Sequence, residues 1–288
     1  MLPENHKARW FAFSALSASD ITISSVLSTA LSKLNSFLDS ELEYVLCKNE
    51  TIDAETFENE KCCIFLVLPE EDNTKHFMAS LIVVQTYREL LSISDEMGGR
   101  LKRKIMFFLD EFGTIPRIQS ADMMFSASRS RNISIIAIIQ SFAQLDNNYG
   151  SDEAKIIIDN TQLTIFGGFA PMSSSSKQLS QALGEHTVQG GSSTFGKDSI
   201  SVNLQMIKRP LLTEGELKRL GRGEFIIMKT FSNPVRSHFM LYTEWGITFD
   251  NKYNMQPSTH IKIKYATLDE IYSKIMEEKN TKIFSFGK

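Results

Sequence analysis

Apolar positions along the chain change their spacing several times, and each change marks an element. Over residues 8–46, Ile21, Val26, Leu27, Leu31, Leu34 and Leu38 recur near helical spacing with polar residues between them, which predicts helix. A charged stretch, residues 48–61, then gives way to a continuously apolar run of strand length at 62–68, ended by Pro69-Glu70-Glu71-Asp72. Residues 74–94 return to helical spacing, and Gly98-Gly99 followed by the basic cluster Arg100, Lys102, Arg103 and Lys104 closes that segment. A second apolar run, Ile105-Met106-Phe107-Phe108-Leu109, stops abruptly at two adjacent carboxylates, Asp110 and Glu111. Beyond a Gly and Pro turn at 112–118, residues 119–131 are compatible with helix, and the β-branched run 133–139 closes on Gln140-Ser141. Further helices are predicted at 152–158 and 173–183, and strands at 163–166 and 224–228. From about Trp245 the pattern turns to short mixed elements and a charged helix at 267–279.

This alternation of strands and helices predicts an α/β fold with a parallel sheet covered by helices on both faces. Strands buried on both faces are continuously hydrophobic, and ligands of open α/β sheets bind where such strands end. Asp110 and Glu111 therefore have the appearance of a Walker B element, in which Asp110 holds Mg²⁺ and Glu111 orients or deprotonates an attacking water. Taken alone the pattern also fits an apolar strand followed by an acidic helix cap.

Composition bounds the reading without choosing a function. With 288 residues and 42% hydrophobic content the chain can bury one substantial core and a smaller appendage. A net charge of −3 announces no global basic field, so any nucleic-acid contact has to be local. The cysteines are Cys47, Cys62 and Cys63; the adjacent pair sits in the apolar run at 62–68 and is expected as buried free thiols in a reducing compartment. No CxxC or HxxxH spacing suggests a structural metal, and His6, His76, His186, His238 and His260 are scattered. No apolar run approaches the roughly 20 residues of a membrane span, and no signal peptide is recognisable.

The ordered series LDEFGTIP, SRSRNI and IIQSFAQL, continued by Ile158-Asp159-Asn160-Thr161, Ala182-Leu183-Gly184-Glu185-His186-Thr187-Val188 and Arg209-Pro210-Leu211-Leu212-Thr213, resembles the ATPase domain of type IV coupling proteins of the TraG/TraD class. The resemblance covers roughly residues 60 to 230. It implies a RecA-like P-loop NTPase core, a parallel sheet flanked by helices, in residues 61–245. Residues 1–60 would be the end of an inserted helical domain with its connector, and 246–288 a C-terminal tail. It implies ATP and Mg²⁺ as cofactors and a DNA-translocating ATPase that delivers a relaxosome, DNA or protein substrate to a conjugative secretion channel. The implied partners are transfer DNA, relaxosome and channel proteins, and copies of the full-length protein in a homo-hexamer at the cytoplasmic face of the cell membrane. The implied roles are Asp110 as metal-side carboxylate, Glu111 as catalytic base, Gln140 as γ-phosphate sensor, and Arg129 or Arg131 as an arginine finger reaching across a subunit boundary. Gln140 also suits a strand-terminal cap, each arginine also suits a salt-bridged surface helix, and the cluster at 100–104 is read as a solvated loop.

One element of such an engine is missing. A phosphate loop needs G-x-x-x-x-G-K-[ST], because backbone amides cradle the phosphates while Lys neutralises them and the hydroxyl ligates Mg²⁺. The nearest approach, Gly191-Ser192-Ser193-Thr194-Phe195-Gly196-Lys197-Asp198, puts a carboxylate where the hydroxyl belongs and runs into Ile200-Ser201-Val202-Asn203-Leu204, which alternates like a strand. A glycine-rich hairpin loop is the expectation there. The chain is thus expected to be the C-terminal part of a coupling protein, with no ATP turnover by itself. Two alternatives stand beside it: a non-catalytic module that docks components of the same machinery, and another DNA translocase of the septum-type or HerA-like group.

Overall fold

The computed structural model describes residues 19–35, 37, 42, 53–68, 75–195, 200–248, 266–274 and 276. Contacts divide the chain into two compact units, Met1–Thr51 with Tyr253–Lys288, and Ile52–Lys252. In the first, α1 (Asp20–Asn35) carries Asp20 in its first turn and Lys33 in its last, each favourable with the helix dipole. The remainder of the helical stretch expected at 8–46 lies almost wholly outside the described residues. Residues 268–274 are helical within the predicted 267–279 span, and Thr267 with Glu270 closes a reciprocal cap at their start.

The second unit opens with α2 (Ala54–Asn59), capped by the Asp53 carboxylate, which accepts from the Glu55 amide. Glu58, buried on this helix, accepts from the Lys102 and Arg103 amides at 2.7 and 3.3 Å and so pins the turn that feeds the carboxylate strand. Helix α3 (His76–Glu96) buries Val84, Tyr87, Leu90 and Ser94 at helical spacing and ends where Gly98 and Gly99 take φ of 84° and 95°. Strand β1 (Ile105–Leu109) pairs in parallel with β2 (Ile133–Ala137), from Ile105 opposite Ile133 to Leu109 opposite Ala137. Between them run α4 (Ala121–Ala127) and a 3-10 turn, Ser128–Arg131.

After β2 come α5 (Phe142–Tyr149), α6 (Ser151–Asp159) and β3 (Leu163–Phe166). The chain continues through α7 (Ser175–Leu183), a long hairpin of β4 (Glu185–Phe195) and β5 (Ile200–Pro210), α8 (Glu214–Leu217), β6 (Glu224–Lys229) and β7 (Val235–His238). One core gathers Leu90, Leu101, Ile105, Phe112, Ile118, Ile133 and Leu145 around the β1–β2 pair, and a second gathers Leu179, Leu183, Leu217 and Ile226 against β3 and β6.

Three expectations need correction. Residues 62–68 form no strand: no described strand pairs with them, so their apolar side chains stay outside, with Val67 89% exposed. For the same reason Cys62 and Cys63 are exposed and not buried, while Cys47 lies outside the described residues. Among the described residues only β1 and β2 run parallel; β3, β6 and β7 form an antiparallel sheet in that order, and β4–β5 is an antiparallel ribbon. The glycine-rich string at 191–198 belongs to this hairpin, with Gly191 opposite Leu204 inside the ladder and residues 196–199 outside the described set.

The Arg209-Pro210-Leu211-Leu212-Thr213 block has a local physical purpose. The Thr213 amide and hydroxyl each donate to Glu216 Oε2 at 2.8 Å, and the Arg209 guanidinium donates to Glu216 Oε1 at 2.6 Å. These donors, the Thr213 amide foremost, hold the Glu216 carboxyl down at about 2, from an ordinary value of 4.5. A folded-state value below the unfolded one means stabilisation that is full above pH 4.5 and lost as pH falls toward 2. Glu216→Gln is therefore expected to lower the thermal midpoint at neutral pH, with the gap to the parent protein closing between pH 4.5 and 2 in a pH-dependent melting series.

Candidate nucleotide-facing site

Where β1 ends, the parallel ladder continues by two more bonds: Ile138 donates to the Leu109 carbonyl at 3.0 Å, and Phe112 donates to the Ile138 carbonyl at 2.9 Å. The chain leaves the strand between these bonds, so Asp110 and Glu111 are forced outward in a tight turn. Glu111 takes φ 52°, a left-handed conformation uncommon for a side-chain-bearing residue, and its carbonyl accepts from the Thr114 and Ile115 amides at 2.8 and 3.0 Å. Strain of this kind is retained where surrounding bonds over-determine it. Here the ladder on one side and the turn on the other do so.

Both carboxylates are exposed at this edge. The Glu111 amide donates to Asp110 Oδ1 at 3.1 Å. Gln140, just past β2 on the same end of the sheet, directs its side-chain nitrogen to Glu111 Oε1 and Oε2, each at 3.0 Å. Its oxygen accepts from Gln144 Nε2 at 3.2 Å. The sequence suggested Gln140 as a γ-phosphate sensor or a strand-terminal cap and passed over its contact with Glu111 and over Gln144; the Ser141-x-x-Gln144 string, which reads as a helix cap, was the signal available.

The floor beneath the turn is aromatic. Phe112, 1% exposed, stacks on Tyr149 with ring centres 4.9 Å apart and meets Phe125 at 5.7 Å. The Tyr149 hydroxyl accepts from the Ile118 amide at 3.2 Å, and burial pushes its ionisation up to about 12. A neutral phenol thus anchors the segment that follows the carboxylates onto α5.

The two arginines lie elsewhere. Arg129 and Arg131 sit in the 3-10 turn that precedes β2, at the end of the parallel pair opposite Asp110 and Gln140. Arg131 pairs with Asp95 at 3.4 Å, while Arg129 is exposed and makes no ion pair among the described residues. Within one chain neither is brought to the carboxylates. Arg100, Lys102, Arg103 and Lys104 lead into β1 at that same far end; these four are exposed, and Arg103 is additionally bonded to the Asn59 carbonyl.

Among the described residues no three His, Cys, Asp or Glu side chains gather to hold a metal. The donor set suits Mg²⁺ held through few protein ligands, because that ion keeps several waters and takes its remaining ligands from phosphate oxygens. A separate cavity of about 640 Å³ lies between α5, α6, α7 and the β3–β6 strands, lined by Phe142, Lys155, Ile158, Phe166, Leu179 and Met228 among others. None of Asp110, Glu111 or Gln140 lines it.

An acidic pair thus closes a parallel strand, with an amide from just past the neighbouring strand held on it, at the kind of strand end where open α/β sheets bind ligands. The family model for type IV secretory system conjugative DNA transfer matches residues 4–269, and the chain belongs to that family. It is 22% identical over 230 residues to the type IV secretion system-coupling protein VirD4 of Bartonella quintana and, over the same length, to that of Bartonella henselae. The match takes 77% of this chain and 35% of either relative, so the chain spans about a third of their length. Among solved structures it is similar to the bacterial conjugative coupling protein TrwB in its unbound form, with TM-score 0.62, 18% identity, and 80% of this chain against 52% of that one. TrwB in complex with a non-hydrolysable GTP analogue matches with TM-score 0.60 and 19% identity over 79% of this chain and 51% of that one. The fold is thus the α/β, RecA-like one that the sequence leads one to expect.

Phe112→Ala should open a cavity under the turn and cost about 3–5 kcal/mol in urea denaturation. A loss below about 1 kcal/mol would show that the ring is not what seats the carboxylate turn.

Proposed function

We propose that this chain is the carboxylate half of a coupling ATPase motor, the part that senses and hydrolyses nucleotide once a phosphate cradle is supplied by further polypeptide, in the same chain or a partner. The observation that carries this reading is the Gln140 amide held on both oxygens of Glu111 at the carboxyl end of a parallel strand pair. ATP with Mg²⁺ would supply the transferable phosphoryl group and the counter-charge. Asp110 would hold the hydrated cation with the carboxylate oxygen that Glu111 does not occupy. Glu111 would orient a water and take its proton. The Gln140 NH2 would pass from Glu111 to a phosphate oxygen, since both are acceptors and the amide nitrogen carries two donors. Arg129, exposed and far from its own carboxylates, suits a role across a subunit boundary better than Arg131, which is already paired with Asp95.

Two further features support an added segment. Among the described residues β2 pairs only with β1 and β3 only with β6, so each keeps an unpaired edge. The outward face of the parallel pair exposes Met106, Phe108, Ile136 and Ile138, with Phe108 at 66%. A parallel pair is ordinarily covered on both faces, and among the described residues one face here stays partly exposed. In the family's setting the cargo is transfer DNA or protein, delivered to the secretion channel by a hexameric ring at the membrane. No described helix is long and apolar enough to cross a membrane. The non-catalytic docking module is favoured by one feature, the absence of G-x-x-x-x-G-K-[ST] from the sequence.

The chain alone is expected to show no ATP turnover. Joined to a cradle-bearing segment, it is expected to hydrolyse ATP, and Glu111→Gln should then keep nucleotide binding while losing turnover by a factor of at least about 100, as loss of a general base does. Normal turnover by that variant would remove Glu111 from its role and leave the docking-module reading in place.

A further inference from the structure

We propose that Gln144 is the positioning residue that decides which way the Gln140 amide faces, and that position 113 is glycine to let the first turn of α5, which carries Gln144, pack against it. The polarity of this relay starts at Glu111. An ionised carboxylate only accepts, so Gln140 must turn its NH2 toward it, and the 3.0 Å contacts to both oxygens fit that choice. The Gln140 oxygen then faces away and needs a donor. Gln144, one helical turn on, supplies one through Nε2 at 3.2 Å.

Two observations separate this from ordinary helix capping. Ser141 is the N-cap of α5 and its hydroxyl accepts from the Gln144 amide, so Ser141-x-x-Gln144 has the form of a capping box. In a complete box the third-position side chain reaches back to the cap residue's backbone; here it is directed to Gln140 instead. This choice leaves Gln144 Oε1 buried without a hydrogen-bond partner among the described residues, so the orientation does not serve Gln144's own needs. The second observation is steric. A Cβ on Gly113 would stand 3.1 Å from Gln144 Cβ, tighter than side chains normally pack, with the Gln144 backbone carbon and Oε1 at an ordinary 3.6 Å. Gly113 is not among the glycines with positive φ, so it is space, and not backbone conformation, that calls for glycine there.

The consequence for hydrolysis rests on the function proposed above, but the orientation does not, so the test reads the amide directly in the chain as it stands. The probe is the Gln140 side-chain amide in a glutamine-selective ¹⁵N spectrum, assigned by its loss in Gln140→Leu. In Gln144→Leu and in Gly113→Ala its proton pair should shift toward the free glutamine position and exchange with solvent roughly five-fold faster, the size of one net hydrogen bond. Gln144→Glu, which keeps the length and replaces the donor by an acceptor, provides a second arm if the leucine variant fails to fold. Ser141→Ala, which removes the cap and not the relay, should leave the Gln140 signal in place. An unchanged Gln140 signal in a folded Gln144 variant overturns the proposal. So does an equal shift in Ser141→Ala, which would assign the effect to fraying of α5. Loss of turnover in a cradle-complete protein without any change at Gln140 would count against the relay and leave the motor reading standing.

Discussion

Two hydrogen bonds beyond the formal end of the parallel pair constrain the rest of the site. Ile138 donates to the Leu109 carbonyl as a regular parallel ladder requires, but the Ile138 carbonyl accepts from Phe112 and not from Glu111, so the chain carries one extra residue between the two bonds just past the end of β1. The intervening Asp110 and Glu111 have no place in the ladder and are extruded at its edge, Glu111 in a left-handed conformation that would be costly elsewhere. At this same end of the pair the Gln140 amide meets the Glu111 carboxylate. Each buried link beneath, from the Phe112–Tyr149 stack to the Tyr149 bond with the Ile118 amide, keeps the returning segment against α5 so that this edge does not relax.

That arrangement separates two kinds of work within one small sheet. Its amino end is tied down by structural bonds: Glu58 to the Lys102 and Arg103 amides, Asn132 to the Leu101 carbonyl, and Arg131 to Asp95. Its carboxyl end carries exposed acceptors and an amide relay whose last oxygen is buried without a partner among the described residues. Among the described residues, left-handed backbone and an unpartnered buried polar atom occur at both ends, Asn132 and Arg131 Nε at the amino end, Glu111 and Gln144 Oε1 at the carboxyl end, but only the carboxyl end presents exposed acidic side chains directly at the end of a strand.

Much of this was legible in the sequence because strong local signals agreed with the fold. The runs at 105–109, 133–139 and 163–166 gave strands within a residue or two, since β-branched and aromatic residues bounded by polar or glycine turns leave little choice. The segment 62–68 has the same composition and is no strand here. Composition proposes a strand, but hydrogen bonds to a neighbour make one, and no described neighbour is present. The β4–β5 ribbon was only half visible, because the glycine-rich string hides the alternation of its first strand. Gln140 was readable from its place at a strand end. Gln144 was not, because S-x-x-Q announces a helix cap whether or not the side chain is used for one. The remote placement of the arginines follows from strand direction: residues immediately before a parallel strand lie at the opposite end from residues immediately after its neighbour.

The central claim is that nucleotide and metal sit at the Asp110–Glu111–Gln140 edge. Its most direct test is paramagnetic broadening of assigned amide signals by Mn²⁺ bound with a non-hydrolysable ATP analogue, in the chain joined to a cradle-bearing segment. The account predicts that Asp110, Glu111 and Gln140 lose their signals first, while Lys155 and Lys229 around the separate cavity keep theirs. Broadening centred on that cavity, with Asp110 and Glu111 still sharp, would contradict it.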